Sequence, residues 1–463
     1  MKHFVCLVAL AVLPAVLPAQ TSETALVIRG GTLVDVKSGN KIPNSVIVVR
    51  SERIEQVGVE EKTAAPPGAR IIDAKGKWII PGLIDSHAHA GTSESDPLEL
   101  YLANGVTTIR NPGGNITQLR LTREKLLRGQ IIGPRLFFSG PLLDGLPPVW
   151  PSNSLLVDTP ARARSAVNFL ADQGADFVKV YNNVQEPELK VIVQTAKERG
   201  LPVAGHVPRT LTMSRAIELG MTRLEHIRIT GKEMLSPEEA AAIDPLPVGK
   251  REPMLWQKFN LQSEKMRSLV RLLAESRVFL DPTLVTDEFF DVSTREVEAA
   301  DPNNKYFPDS VVEESLKYFD VGVFEIPPEL RQAAVELLQK EEQFVGMCSE
   351  AGVRIIAGTD GPAIGRLAPG FALHRELELL IASRLSPLQA LRAATSTAAE
   401  ALDKADQLGT VERGKFADLV ILDADPLLSV HNLRRIHLVL QGGKSYEPEA
   451  LLERARARAS KKQ

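Results

Sequence analysis

Between Trp78 and Ala405 the chain repeats one pattern eight times: a short apolar run that reads as a buried strand, then a stretch with helical spacing. The runs are WIIPGLID, GVTTIRN, PRLFFSG, ADFVKVY, LPVAGHV, RLEHI, VFLDPTL and RIIAGTD. Strands alternating with helices favour a parallel sheet. Eight units at these intervals predict a (β/α)8 barrel, whose reactive groups gather at the C-terminal ends of its strands. Five of the segments also present a metal-binding side chain at that end. They are His87 and His89 in PGLIDSHAHA, Lys179 in ADFVKVY, His206 in PVAGHV, His226 in RLEHI and Asp360 in RIIAGTDG. Ligands converging from different strands suit a two-metal hydrolytic centre, so the chain reads as an enzyme.

Outside the barrel region the pattern changes. From Ala25 to about Ile80 short apolar runs alternate with turn signals, in ALVIRGG, TLVDV, SVIVV, RIEQVG and ARIIDAKGKWII, and the signature returns in GTVERGKFADLVILD and IHLVLQGG. The expected fold class is therefore α/β: a (β/α)8 TIM-like barrel, with a small β-sandwich domain built from both ends of the chain. The expected boundaries are residues 20–80 and 406–450 for the sandwich and 81–405 for the barrel. The basic end, residues 451–463 with Arg454, Arg456, Arg458, Lys461 and Lys462, reads as a solvated helix end or a frayed tail. Two connections, Thr230 to about Arg277 and Val285 to about Glu350, exceed simple crossovers. They read as lids, subunit contacts or structural additions.

Residues 1–19 have the form of a signal peptide. Lys2 supplies the positive start, Phe4 to Leu17 the apolar stretch broken by Pro14, and Pro18-Ala19 a small-residue end before Gln20. The expectation is an exported protein, periplasmic or secreted, cleaved near Ala19; a retained N-terminal anchor is the alternative. No later stretch reaches the roughly 18 apolar residues of a membrane span. Cleavage would remove Cys6 and leave Cys348 alone, so burial rather than a disulfide must carry stability. A net charge of −3 and the lack of a basic stripe before the tail argue against nucleic acid and leave a small molecule as the partner.

Residue chemistry sharpens the site. One residue separates His87 from His89, so both side chains face the same way if the strand persists. A lysine ammonium cannot ligate a cation, which makes Lys179 either a buried, salt-bridged cation or a carbamate offering one oxygen to each of two ions. His206 and His226 are candidate ligands of a second ion, or satisfied, partly buried histidines. Asp360 is a ligand or the N-cap of the next helix. Arg110, Tyr181 and Arg228 stand nearest in sequence: either arginine could grip a substrate carboxylate and Tyr181 could donate to a carbonyl, although surface ion pairs and packing account for them as well. PLLDGLPPVWP, carrying Trp150, either walls the pocket for an apolar part of the substrate or is a rigid structural loop. His374, in FALHRELELL, reads as a helix-surface residue or one beside the site.

The motifs PGLIDSHAHA, AGHV, LEHI and AGTDG occur together with GGTLVDV near the start and LSPLQALRAATSTAAEALDKADQLGTVERGKFADLVILDADPL near the end. This set, covering nearly all of the mature chain, resembles the metal-dependent amidohydrolase superfamily, in the branch related to imidazolonepropionase and the prolidase-like Xaa-Pro dipeptidases. The resemblance implies two divalent metal ions, with zinc expected, and a Lys179 carboxylated by carbon dioxide. It places His87, His89, Asp360 and the carbamate on one ion, and His206, His226 and the same carbamate on the other. A metal-bridging hydroxide would then cleave an amide or peptide C–N bond, in a dipeptide or N-acyl amino acid, with Asp360 as general base. Prolidase-like members often read KVM with a Ser/Gly-rich continuation; here Lys179-Val180-Tyr181-Asn182-Asn183 departs from that, and dipeptide specificity does not follow. Alternatives are a lactonase, a cyclic-amidine hydrolase or deaminase of the same fold, and a non-catalytic exported binding protein. The fold's habits also admit a homo-oligomer.

Overall fold

The eight apolar runs surround one axis in the computed structural model, which describes residues 24–461 apart from 94–95, 228 and 320–327. The expected signal segment 1–19 and Cys6 lie outside the described residues. Barrel strands one to eight are Leu83–Asp85, Val106–Asn111, Arg135–Phe138, Val178–Val180, Val203–Gly205, Arg223–Glu225, Phe279–Asp281 and Arg354–Ile355. Pairing is parallel from one to three and from four to eight. Strand three meets strand four through Asp176, whose N–H donates to Phe138 O at 2.9 Å. Strand eight closes on strand one: Ser86 N donates to Ala357 O, Thr359 N donates to His87 O, and Ala88 bridges Gly361. Helices cover such strands from outside and side chains fill them from inside, which is why the strand residues are buried on both faces rather than alternately.

Buried Asp85 fastens that closure. Its carboxylate accepts from His87 N at 3.2 Å, Thr359 N at 3.1 Å and Thr359 Oγ1 at 2.8 Å. Two strand ends that carry candidate ligands are thereby fixed to each other.

The first run is not one strand. Trp78–Pro81 leaves the barrel and pairs with Thr32 and Leu33 and, antiparallel, with Leu419–Leu422; only Leu83–Asp85 enters the barrel. Gly82 makes the crossing, where a Cβ would stand 2.1 Å from Thr107 Oγ1. No larger residue fits that close approach.

Both chain ends build a second, eight-stranded sheet. Lys444–Tyr446, Ile436–Gln441, Leu419–Leu422, Trp78–Pro81, Leu26–Val34, Lys41–Arg50 and Arg53–Val59 lie side by side, with Arg70–Asp73 parallel to Leu26–Val34. The sheet curls so that Arg53 bridges Phe416, around a core that includes Ile28, Ile47, Ile54, Ile79, Leu419 and Leu440. A TIM-like barrel joined to a sandwich-like domain from both ends is thus the architecture. Arg135 of strand three ties the two parts, donating to Asp418 at 2.8 Å and stacking on Phe416.

The basic end does not trail away as a frayed tail. Pro448–Ser460 is a helix that buries Leu451, Ala455 and Ala459, four residues apart and hence on one face. It rests on the short helix Glu99–Ala103, and Arg458 donates to Asp96 O at 2.9 Å. The first long connection folds into four helices, the last of which, Glu264–Glu275, is capped by Ser263 and buries Met266, Leu269, Val270 and Leu273. In the second, the helix Arg331–Glu350 buries Phe344, Val345 and Cys348. His374 is neither on a helix surface nor beside the site: it is buried in the helix Phe371–Ala382, where its Nε2 donates to Asn104 O at 3.0 Å. Among the described residues no helix is long and apolar enough to cross a membrane.

Candidate metal centre

Strand one delivers His87 and His89 past its C-terminal end, and strand eight delivers Asp360 opposite them. Asp360 Oδ1 lies 3.1 Å from His87 Nε2 and 3.0 Å from His89 Nε2. Single donor atoms from these three residues lie within 4.8 Å of one another. Among the described residues, neither ring nitrogen of buried His87 makes a hydrogen bond of good geometry. Imidazoles held about 2.0–2.1 Å from a tetrahedral ion keep their donors roughly 3.3 Å apart, so this close-set trio fits a divalent cation. Gly358 permits the approach, since a Cβ there would meet Asp281 and His87 at 2.6 Å.

The other two imidazoles adjoin this trio. His226 stacks obliquely on His87, with ring centroids 4.9 Å apart, and His206 meets His226 edge-on at 4.7 Å. His226 Nε2 is 3.8 Å from Asp360 Oδ2. Each ring is oriented from behind: His206 Nδ1 lies 2.7 Å from Asn182 Oδ1, and His226 Nδ1 lies 2.6 Å from Thr283 Oγ1. Donation from Nδ1 places the lone pair on Nε2, the arrangement that a neutral imidazole ligand requires. Burial works against a charge on His87 and takes its pKa down to about 4. Burial also opposes ionisation of Asp360, but the facing His87 and His226 outweigh it and hold that carboxyl well below its usual range.

Beneath the histidines lies a charged layer. Lys179 is present as an amine buried against Glu225. Arg110 Nη2 donates to Glu225 Oε1 at 2.6 Å, stands 3.5 Å from Asp281 Oδ2, and its Nε donates to Ser86 O. Burial drives the Lys179 amine below its ordinary pKa, whereas Lys179, His87 and Arg110 overcome burial to keep Glu225 ionised. Among the described residues Asp281 has no hydrogen-bonded partner for either oxygen, and burial pushes its carboxyl well above the usual range.

Of the expected substrate contacts, Arg110 lies buried in the barrel interior, where its Nη2 donates to Glu225 and its Nε to Ser86 O. Tyr181 is at the site, its ring centroid 4.2 Å from that of His206 and its hydroxyl accepting from Trp150 Nε1 at 3.0 Å. Arg228 lies outside the described residues. Glu225, Asp281, Asn182 and Thr283 were not anticipated. Glu225 directly precedes His226, and Asp281 ends strand seven as Asp360 follows strand eight, which is the signal that could have found them.

A parallel barrel with imidazoles and carboxylates crowded at its C-terminal mouth defines the class of metal-dependent TIM-barrel hydrolases. The profile described as Amidohydrolase family matches residues 78–445, and the chain belongs to that family. Members of the family generally use divalent metal ions. Its fold neighbours are prolidase-like. A prolidase candidate from Bifidobacterium longum is 25% identical with a TM-score of 0.68, covering 93% of this chain and 99% of that one. A bottromycin amidohydrolase is 24% identical with a TM-score of 0.74, covering 94% and 90%. Among curated sequences, an adenine deaminase of Rubrobacter xylanophilus is 36% identical over 104 residues, 22% of this chain and 17% of the deaminase. The chain therefore spans under a fifth of that relative's length.

Proposed function

We propose that this protein hydrolyses an amide or peptide bond in a dipeptide or N-acyl amino acid, at a centre of two divalent ions. The observation that carries the reading is the convergence of His87, His89, His206, His226 and Asp360 from four strands into one contiguous cluster. An imidazole-rich donor set suits zinc. In this reading His87, His89 and Asp360 hold one ion, His206 and His226 hold the other, and Lys179, carboxylated by carbon dioxide, serves both. Its buried place at the end of strand four supports that role, as does the depressed basicity of its amine.

When bound, the ions would lower the pKa of water to near neutrality and polarise the scissile carbonyl. Asp360 takes up the water's proton and hands it to the departing amine, the work of a general base that then acts as acid. Asn182 and Thr283 fix which nitrogen of His206 and His226 faces the mouth. Arg110 remains as the counter-charge of Glu225 once carboxylation removes the cation from Lys179. Export, read from residues 1–19, would place this chemistry in the periplasm or outside the cell.

A second reading has its own support. The short likeness to adenine deaminases fits a one-metal deaminase with an unmodified lysine. Protein prepared with zinc and bicarbonate separates the two when assayed against dipeptides, N-acyl amino acids, lactones and adenine. Release of amino acid with two ions per chain is expected. Ammonia release from adenine with one ion per chain would replace the amide reading.

A further inference from the structure

Exposed apolar side chains on a rigid loop call for a partner. The connection after strand three is held in one shape by Asp144, whose carboxylate accepts from the backbone N–H groups of Gly145 at 2.9 Å, Val149 at 2.8 Å and Asn183 at 2.8 Å. Asn183 Nδ2 adds a bond to Pro147 O at 2.6 Å. Clamped in this way, the loop leaves Leu146, Val149 and Trp150 exposed at 61%, 37% and 46%. The indole is nonetheless oriented, because its Nε1 donates to Tyr181 OH and the Tyr181 ring packs on His206. Further along the loop, Asn153 lies near Gly113, where a Cβ would stand 3.5 Å from Asn153 Nδ2 and 3.3 Å from His89 Cε1. The loop thus flanks the centre from His89 round to His206.

Three apolar side chains fall far short of the roughly 800 Å² per partner that a stable protein interface buries. Trp150 is continuous with the metal centre through Tyr181, and Leu146 and Val149 share its clamped loop, which instead suits part of a small molecule whose reacting bond lies over the histidines. We propose that Trp150, with Leu146 and Val149, forms the specificity wall of the site and selects substrates that carry a bulky apolar side chain, aromatic or branched, beside the scissile amide. This rests on the hydrolase reading above.

Two matched pairs test it: N-acetylphenylalanine against N-acetylglycine, and glycylphenylalanine against glycylglycine, each with zinc-loaded wild type, Trp150→Phe and Trp150→Ala. A wild-type preference in kcat/KM for the phenylalanine member is expected, falling about tenfold or more in Trp150→Ala and largely kept in Trp150→Phe. Calorimetric binding of the same ligands runs beside the assay. If wild type turns over none of them, the hydrolase reading fails and the binding ratio alone decides the wall. A wild-type protein without preference, or a ratio unchanged in Trp150→Ala, overturns the inference.

Discussion

His226, Thr283 and Asp360 share a left-handed backbone, with φ of 60°, 51° and 51°, at the ends of strands six, seven and eight. Each such conformation costs about 1–3 kcal/mol for a residue other than glycine, and strain of this kind collects at functional sites. Here it turns the chain so that successive side chains both reach the barrel interior. Glu225 points in from strand six, and His226, which strict alternation would send outward, comes back to the mouth. The identity of the candidate ligands was therefore legible as residue types at strand ends. The layer beneath was not, because alternation alone hides Glu225 behind His226 and gives no reason for Arg110 to turn inward. Asp360 bears the proton in the proposed chemistry. Its replacement by asparagine should lower kcat by about 10²–10⁴-fold while most of the metal stays bound, as steady-state kinetics and elemental analysis would register. Undiminished turnover in Asp360→Asn would remove it from the reaction.

At the level of elements, the eight barrel strands were readable because burial on both faces concentrates apolar residues in each run, ahead of a stretch with helical spacing. One misreading has a physical cause: Trp78–Asp85 looked like a single strand, yet Gly82 lets the chain step from one sheet to the other. The basic end stayed open between a helix end and a frayed tail, because beside its charges the buried face is Leu451, Ala455 and Ala459, and alanines carry little hydrophobic signal. The loop after strand three depends on one acceptor for its shape. Asp144→Ala should cost about 2–3 kcal/mol locally and speed amide exchange at Gly145, Val149 and Asn183 while strands five and six keep their protection. Equal protection at those three amides before and after the change would mean that something else holds the loop.

Across the whole molecule, the barrel is locked by contacts between distant parts of the chain. Asp85 joins strand one to the segment after strand eight, and Arg135 joins the barrel to the terminal sheet. His374 links the helix after strand eight to Asn104, and burial takes its pKa down from 6.5 to about 3. The unfolded chain binds a proton at this residue as pH falls below about 6.5, which the folded protein refuses until about pH 3. Stability should therefore fall with pH through that window. His374→Gln keeps a donor for Asn104 O and removes the titration, so its urea midpoint should drop less than that of wild type between about pH 7 and pH 5. Identical drops would exclude His374 as a source of acid sensitivity.

The two-ion centre is tested most directly by anomalous diffraction at the zinc edge, on crystals of the protein loaded with zinc and bicarbonate. The account predicts two peaks about 3.5–4 Å apart among His87, His89, His206, His226 and Asp360, with added density continuous from Lys179 Nζ to both. A single peak, with Lys179 still an unmodified amine against Glu225, would contradict it.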